Sequence, residues 1–194
     1  MGGPPAIEPP AVIGILGGGQ LGRMLGSAAR AMGYRVAVLD PDPDCPAAAF
    51  ADRVVVGSFD DVRAALRLAD GSDIVTYELE HVAVAVVDAV DAVVPVRPAR
   101  MPLIVTQDRI AERRFAEELG AAVAPWREVR TGEDLERAAA ALGLPMRVKA
   151  TTGGYDGRSQ IRLDATGALA GALERLGRPP GEAFLAETEM AFEH

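Results

Sequence analysis

The chain has 194 residues, enough for one large domain or two small ones, and 49% of them are apolar, enough for a sizeable core. With 28 acidic against 20 basic residues its formal charge is -8, and only 5% are aromatic, which argues against a basic, base-stacking nucleic-acid surface. The single cysteine, Cys45, excludes an intrachain disulfide and a cysteine metal cluster and makes a reducing compartment the default.

Residues 1–10 are rich in Gly and Pro and lack the basic start and long apolar core of a signal peptide. The later Ala/Val stretches are broken by charge, so no membrane span is expected. A soluble cytoplasmic protein with a short flexible leader follows as the expectation. Ala11 to Leu16 is a short apolar run ending in glycines and reads as a buried strand. Gln20 to Met32 carries Leu21, Met24, Leu25, Ala28 and Met32 at helical spacing, and Gly33 ends it. Strands are expected at Arg35 to Leu39, Arg53 to Val56 and Ile74 to Tyr77. Helices are expected from an Asp60 or Asp61 cap to about Ala69, and over His81 to Val90. Strands alternating with helices predict a parallel sheet covered on both faces, that is, a doubly wound α/β domain over residues 11–100.

The pattern changes at Pro95, Pro98 and Pro102, a candidate linker. Over residues 101–194 the spacing predicts an amphipathic helix at Thr106 to Leu119 and an extended segment at Pro125 and Trp126. A helix at Asp134 to Leu142, closed by Gly143, and a strand at Met146 to Ala150 follow. A glycine-rich loop at Thr151 to Ser159 leads into a returning strand at Gln160 to Leu163. Then come a helix at Ala165 to Leu176 and a strand at Ala183 to Glu187. This second part reads as an unfinished α+β domain.

Two motifs carry chemistry. Gly17-Gly18-Gly19-Gln20-Leu21-Gly22 fits G-x-G-x-x-G between a strand and a helix, where glycines permit a tight turn and the approach of a phosphate to N–H groups. Asp40 ends the next strand, where a dinucleotide fold holds a ribose hydroxyl. Alone, this points to NAD, and a ligand-free βα turn explains it as well. The second motif is Lys149 followed by Thr151-Thr152-Gly153-Gly154-Tyr155-Asp156-Gly157-Arg158. A lysine on a strand before a glycine hairpin suits a triphosphate, because the loop leaves N–H groups free and Lys149 and Arg158 add charge. The competing reading is a solvent-exposed hairpin with a snorkelling lysine. Cys45 has no histidine near it to support a nucleophile, and His81 and His194 lack metal-ligand spacing. Glu187, Glu189 and Glu193 form an acidic cluster that reads as hinge and solvated strand face.

Taken in order, Gly17 to Met24, Leu39-Asp40-Pro41, Val75 to His81, Gln107-Asp108-Arg109 and Gly153 to Arg158 resemble the 5-(carboxyamino)imidazole ribonucleotide synthase family of ATP-grasp ligases. The resemblance runs from Ala11 nearly to the end. It implies a pre-ATP-grasp domain followed by a partial α+β ATP-grasp lid domain, and ATP- and bicarbonate-dependent carboxylation of 5-aminoimidazole ribonucleotide through carboxyphosphate in purine biosynthesis. It implies ATP contacts at Arg109, Lys149, Gly154 to Gln160 (with Ser159) and the hinge Glu187, Thr188, Glu189 and Met190. Tyr155, Asp156 and Arg158 are implied near the reacting groups, and Gly18, Gly19, Gln20, Leu21 and Glu78 at the ribonucleotide. Magnesium ligands are expected beyond His194, a homodimer is expected, and the chain alone is expected to be an inactive fragment. Thr151 and Ser159 depart from the family's usual Arg or Lys and Gly. The rivals are a formyl-phosphate or biotin-carboxylating ATP-grasp enzyme, an NAD-binding oxidoreductase and a non-catalytic nucleotide-binding module.

Overall fold

The computed structural model describes residues 6–153, 159–177 and 181–191. The chain divides into two compact units, Met1–Ile104 and Val105–His194.

The first unit holds a four-stranded parallel sheet of β1 (Val12–Leu16), β2 (Arg35–Asp40), β3 (Arg53–Val56) and β4 (Ile74–Tyr77), in the order β3-β2-β1-β4. Alternation of side chains sorts the sheet into two cores. On β2, Ala37 and Leu39 join Leu16 and Val75 beneath α2 (Val62–Ala69) and α3 (Val84–Asp91). Val36 and Val38 face the other way and join Ile15, Ala29 of α1 (Gln20–Ala31) and Ala47 of a 3-10 turn at Pro46–Phe50. Both faces are therefore covered, as a doubly wound sheet requires. Asp61, rather than Asp60, caps α2 by accepting from the N–H groups of Arg63 and Ala64, and α3 begins at Val84, three residues later than the sequence suggests.

The proline cluster runs into α4 (Arg100–Gln107), with Pro102 in its first turn, where its missing N–H costs no helical hydrogen bond. One expectation for this segment needs correction. The single helix expected over Thr106 to Leu119 is two. Asp108 breaks it by accepting from the N–H groups of Ile110 (2.8 Å) and Ala111 (3.0 Å), which restarts the chain as α5 (Arg109–Glu118).

The second unit is an antiparallel sheet in the order β5-β8-β6-β7, formed by β5 (Trp126–Val129), β6 (Met146–Ala150), β7 (Gln160–Leu163) and β8 (Phe184–Thr188). Thr131 and Asp134 make a reciprocal capping box that opens α6 (Gly132–Leu142), and Gly143, at φ 76°, closes it. α6 lays Leu135 and Ala138 on Val129, Met146, Val148, Leu163, Phe184 and Ala186. The helix expected over Ala165 to Leu176 is a 3-10 turn at Thr166–Ala168 and a short helix α7 (Ala172–Arg175), with Gly171 left-handed between them at φ 63°. A glycine in that conformation interrupts the α-helix at little steric cost.

Candidate nucleotide-binding site

On β6 the residues Met146, Val148 and Ala150 are buried in the core, so period 2 turns Arg147 and Lys149 to the opposite face. β8 does the same: Phe184 and Ala186 enter the core, while Leu185 and Glu187 share the face of the two cations. A cavity of about 690 Å³ opens there, lined by Arg113 of α5, Arg147, Lys149, Glu187, Glu189 and Met190, among others.

Two carboxylates organise this cavity. Glu187 is only 7% exposed and carries an ion pair with Lys149 and a second with Arg113 Nη2 at 2.9 Å. Burial pushes its carboxyl up, but hydrogen bonds and charge from Lys149 and Arg113 outweigh that and hold it below the usual carboxylate range. Glu189 accepts from Arg147 and from Arg162, each at 2.7 Å, and the Arg162 hydrogen bond leads in holding its carboxyl low. The cavity thus presents three cations fixed by buried or paired carboxylates. Such a surface suits the phosphates of an anionic ligand, since the positive groups are placed before the ligand arrives.

Lys149 and the run Glu187, Thr188, Glu189 and Met190, expected as nucleotide contacts, all line this one cavity. Arg109 is placed differently. Its N–H donates to Thr151 O (2.9 Å), and its Nη1 donates to Ala150 O (2.8 Å) and Gly153 O (2.9 Å), so it grips the base of the glycine hairpin. Ser159 closes the hairpin by accepting the Ala150 N–H at 2.8 Å, and Gln160 pairs with Lys149 in the β6–β7 register. Gly154, Tyr155, Asp156, Gly157 and Arg158 lie outside the described residues, as do Glu193 and His194.

Sequence reasoning missed Arg113 and Arg147. The signals were present: Arg113 is four residues after Arg109 on one helix, and Arg147 is two before Lys149 on one strand. Magnesium, which the resemblance implies, does not fit the residues described. Glu187 and Glu189 are each held by two cationic side chains, and no group of three acidic, histidine or cysteine side chains converges on a metal position among the described residues.

In the first unit the glycine loop is occupied by the protein's own carboxylates. Gly18 N–H donates to Asp40 (2.8 Å), and Gly19 and Gly22 N–H donate to Glu78 (2.9 and 3.0 Å). Asp40 also accepts from Asp42 N–H at 2.9 Å, so it serves its own turn.

The two units match known families. Residues 11–107 match the ribonucleotide synthetase preATP-grasp domain, and residues 114–194 match the ATP-grasp domain. The chain belongs to the ribonucleotide synthetase preATP-grasp family. It is 44% identical over 158 residues to the N5-carboxyaminoimidazole ribonucleotide synthase of Brucella melitensis, covering 81% of this chain and 44% of that protein. The Staphylococcus aureus N5-carboxyaminoimidazole synthetase complexed with ADP superposes with a TM-score of 0.90 at 30% identity, covering 96% of this chain and 49% of that one. The Aspergillus clavatus N5-carboxyaminoimidazole synthase in complex with ADP and 5-aminoimidazole ribonucleotide gives 0.79 at 29% identity, over 94% and 47%. The chain spans about half the length of these preATP-grasp relatives. The family resemblance read from the motifs is borne out, and so is the fold it implied, a parallel α/β sheet followed by a partial antiparallel ATP-grasp sheet. Among the described residues no helix is long and apolar enough to cross a membrane.

Proposed function

We propose that this chain carries the nucleotide-binding part of an ATP-dependent carbon–nitrogen ligase that carboxylates 5-aminoimidazole ribonucleotide to 5-(carboxyamino)imidazole ribonucleotide. The observation that carries the reading is the Lys149–Glu187–Arg113 cluster on the wall of the second unit's cavity. A buried carboxylate with two cations presets positive charge where phosphates of ATP settle. Phosphoryl transfer depends on such placed charge more than on a covalent nucleophile.

A bicarbonate oxygen attacks the γ-phosphorus of ATP, the bond to the β-phosphate oxygen breaks, and ADP leaves with that electron pair. The resulting carboxyphosphate loses phosphate as its C–O bond breaks. The exocyclic amine forms the new N–C bond and gives up a proton. In this sequence Lys149 and Arg113 hold phosphate oxygens, and Glu187 to Met190 border the adenine. The family resemblance assigns further ATP contacts to Arg109 and to Gly154 to Gln160, and places Tyr155, Asp156 and Arg158 near bicarbonate and the amine. The ribonucleotide belongs with the first unit, with its amine or hydroxyl groups, and not its phosphate, toward Gly18 to Leu21 and Glu78. The relatives named as complexes with ADP and with 5-aminoimidazole ribonucleotide support this reading, as does the match to the ATP-grasp family. The family resemblance adds a requirement for magnesium and a homodimeric, cytoplasmic enzyme.

The test is a coupled assay of ADP release by the full-length protein. Release is expected only with ATP, bicarbonate and 5-aminoimidazole ribonucleotide all present. ADP release that is indifferent to the ribonucleotide or to bicarbonate would refute the proposal.

A further inference from the structure

Glycine loops between a parallel strand and a helix commonly offer their free N–H groups to the pyrophosphate of a dinucleotide. In this chain a side chain already holds that place. β4 runs parallel to β1 with Tyr77 opposite Leu16, and the ladder continues one step as Glu78 N–H donates to Leu16 O at 3.2 Å. Glu78 is thereby delivered beside the loop that follows β1. One carboxylate oxygen accepts from Gly19 N–H at 2.9 Å and the other from Gly22 N–H at 3.0 Å, while Asp40 takes Gly18 N–H at 2.8 Å.

The glycines themselves fit this occupant. A Cβ on Gly17 would lie 2.4 Å from Cγ of Glu78, and one on Gly19 would lie 2.8 Å from its Oε1. Gly19 is therefore crowded by Glu78, and Gly17 by Glu78 together with Leu79, whose Cδ2 would lie 2.5 Å from the added Cβ. A pyrophosphate would have to displace the carboxylate from both amides and sit against the charges of Glu78 and Asp40. Glu78 keeps acceptor capacity, because an ionised carboxylate has about four lone-pair positions and the two N–H groups use two.

We infer that Glu78 is a specificity-determining residue of the first unit: it fills the anion position of the glycine loop, closes it to phosphate and pyrophosphate groups, and leaves it open to ligands that donate an N–H or O–H. This role needs only the first unit and is separate from the phosphoryl chemistry proposed for the second.

The test reads the backbone amides of Gly19 and Gly22 by NMR in the 194-residue chain while inorganic pyrophosphate, and separately NADH, is added. In the wild type both resonances are expected to stay in place. In Glu78→Ala they are expected to move, with pyrophosphate binding at the loop tightened by about tenfold or more. Glu78→Gln covers the case in which the alanine variant does not fold: it keeps the shape, loses the charge and leaves one of the two N–H groups without its acceptor, and the same change in a weaker form is expected. Because the readout is local to the loop, anion binding at the second unit does not register. Movement of the wild-type amides on adding pyrophosphate would overturn the assignment. A folded variant that takes pyrophosphate no better than the wild type would overturn it too.

Discussion

Lys149 and Glu187 meet on the diagonal of the β6–β8 ladder. Lys149 stands opposite Leu185, yet its ammonium pairs with the carboxylate two residues further along β8. Arg147 repeats the offset: it stands opposite Glu187 and pairs with Glu189. Diagonal neighbours in an antiparallel pair are about 7–8 Å apart at the backbone, a span that long charged side chains bridge. The shared offset leaves both cations along one wall of the cavity, each with its own counter-ion.

Replacing Lys149 by Met keeps the length of the stem and removes the charge. Loss of one charge-assisted contact is expected to weaken nucleotide binding by about 1.5–3 kcal/mol, with far-UV circular dichroism unchanged. Calorimetric titration of the full-length protein with ADP checks this, and equal affinity in the two proteins would remove Lys149 from the site.

Arg113 is expected to behave in the same direction, since it shares the Glu187 carboxylate and the cavity wall. Arg113→Met should weaken ADP binding by about 1–2 kcal/mol. Arg114→Met is the comparison, because Arg114, on an exposed part of the same helix, pairs with Glu128 of β5. A surface pair of that kind contributes about 0–1 kcal/mol, so ADP affinity should not change. Equal losses in the two variants would mean that helix stability, and not the cavity, is being measured.

Glu187 carries a pH dependence of definite sign. Its folded-state carboxyl lies below the ordinary value of 4.5. The stabilisation it supplies is therefore fully present above about pH 4.5 and is lost as the pH falls through the lower folded-state value. Glu187→Gln should lower stability near neutral pH by about 2 kcal/mol, and the gap to the wild type should narrow as the solution is acidified below pH 4.5. Urea midpoints measured across that range decide the matter. A gap that widens on acidification would reverse the assigned sign.

Two glycines of α1 separate packing from propensity. A Cβ on Gly22 would sit 2.3 Å from the carbonyl oxygen of Gly17, a backbone atom that cannot swing aside, whereas one on Gly26 would meet side-chain atoms, Phe50 Cβ at 3.3 Å and Val36 Cγ1 at 3.8 Å. Alanine at either place gains about 1 kcal/mol of helix propensity. Crowding at Gly22 should outweigh that gain and leave Gly22→Ala net destabilised by about 1–3 kcal/mol, while Gly26→Ala should stay near neutral. Thermal melts of the two variants compare them directly.

Much of the fold was legible because it rests on local rules. Strands β1 to β4 announce themselves as short apolar runs, and α2 carries Asp61 at its start. The order of motifs also gave the family, since five short patterns in one sequence constrain a chain far more than any single pattern does. The boundaries that failed were settled by single residues acting on the backbone. Asp108 restarted a helix that the apolar spacing carries straight through, and Gly171 split another.

Local pattern is enough to say which side chains share a face: period 2 on β6 puts Arg147 and Lys149 together and away from the core. Which groups neutralise them, and which fill the glycine loop, depends on the folded chain. Glu187 lies 74 residues from Arg113, and Glu78 lies 59 from Gly19. Those pairings follow from sheet order and register, which local sequence does not encode. A carboxylate is drawn to whichever cation or N–H group the folded chain brings within hydrogen-bond reach. The motif that reads as a phosphate cradle is for that reason a carboxylate clamp, and Glu187 and Glu189, which read as hinge and solvated strand face, are the counter-charges of the cavity's cations.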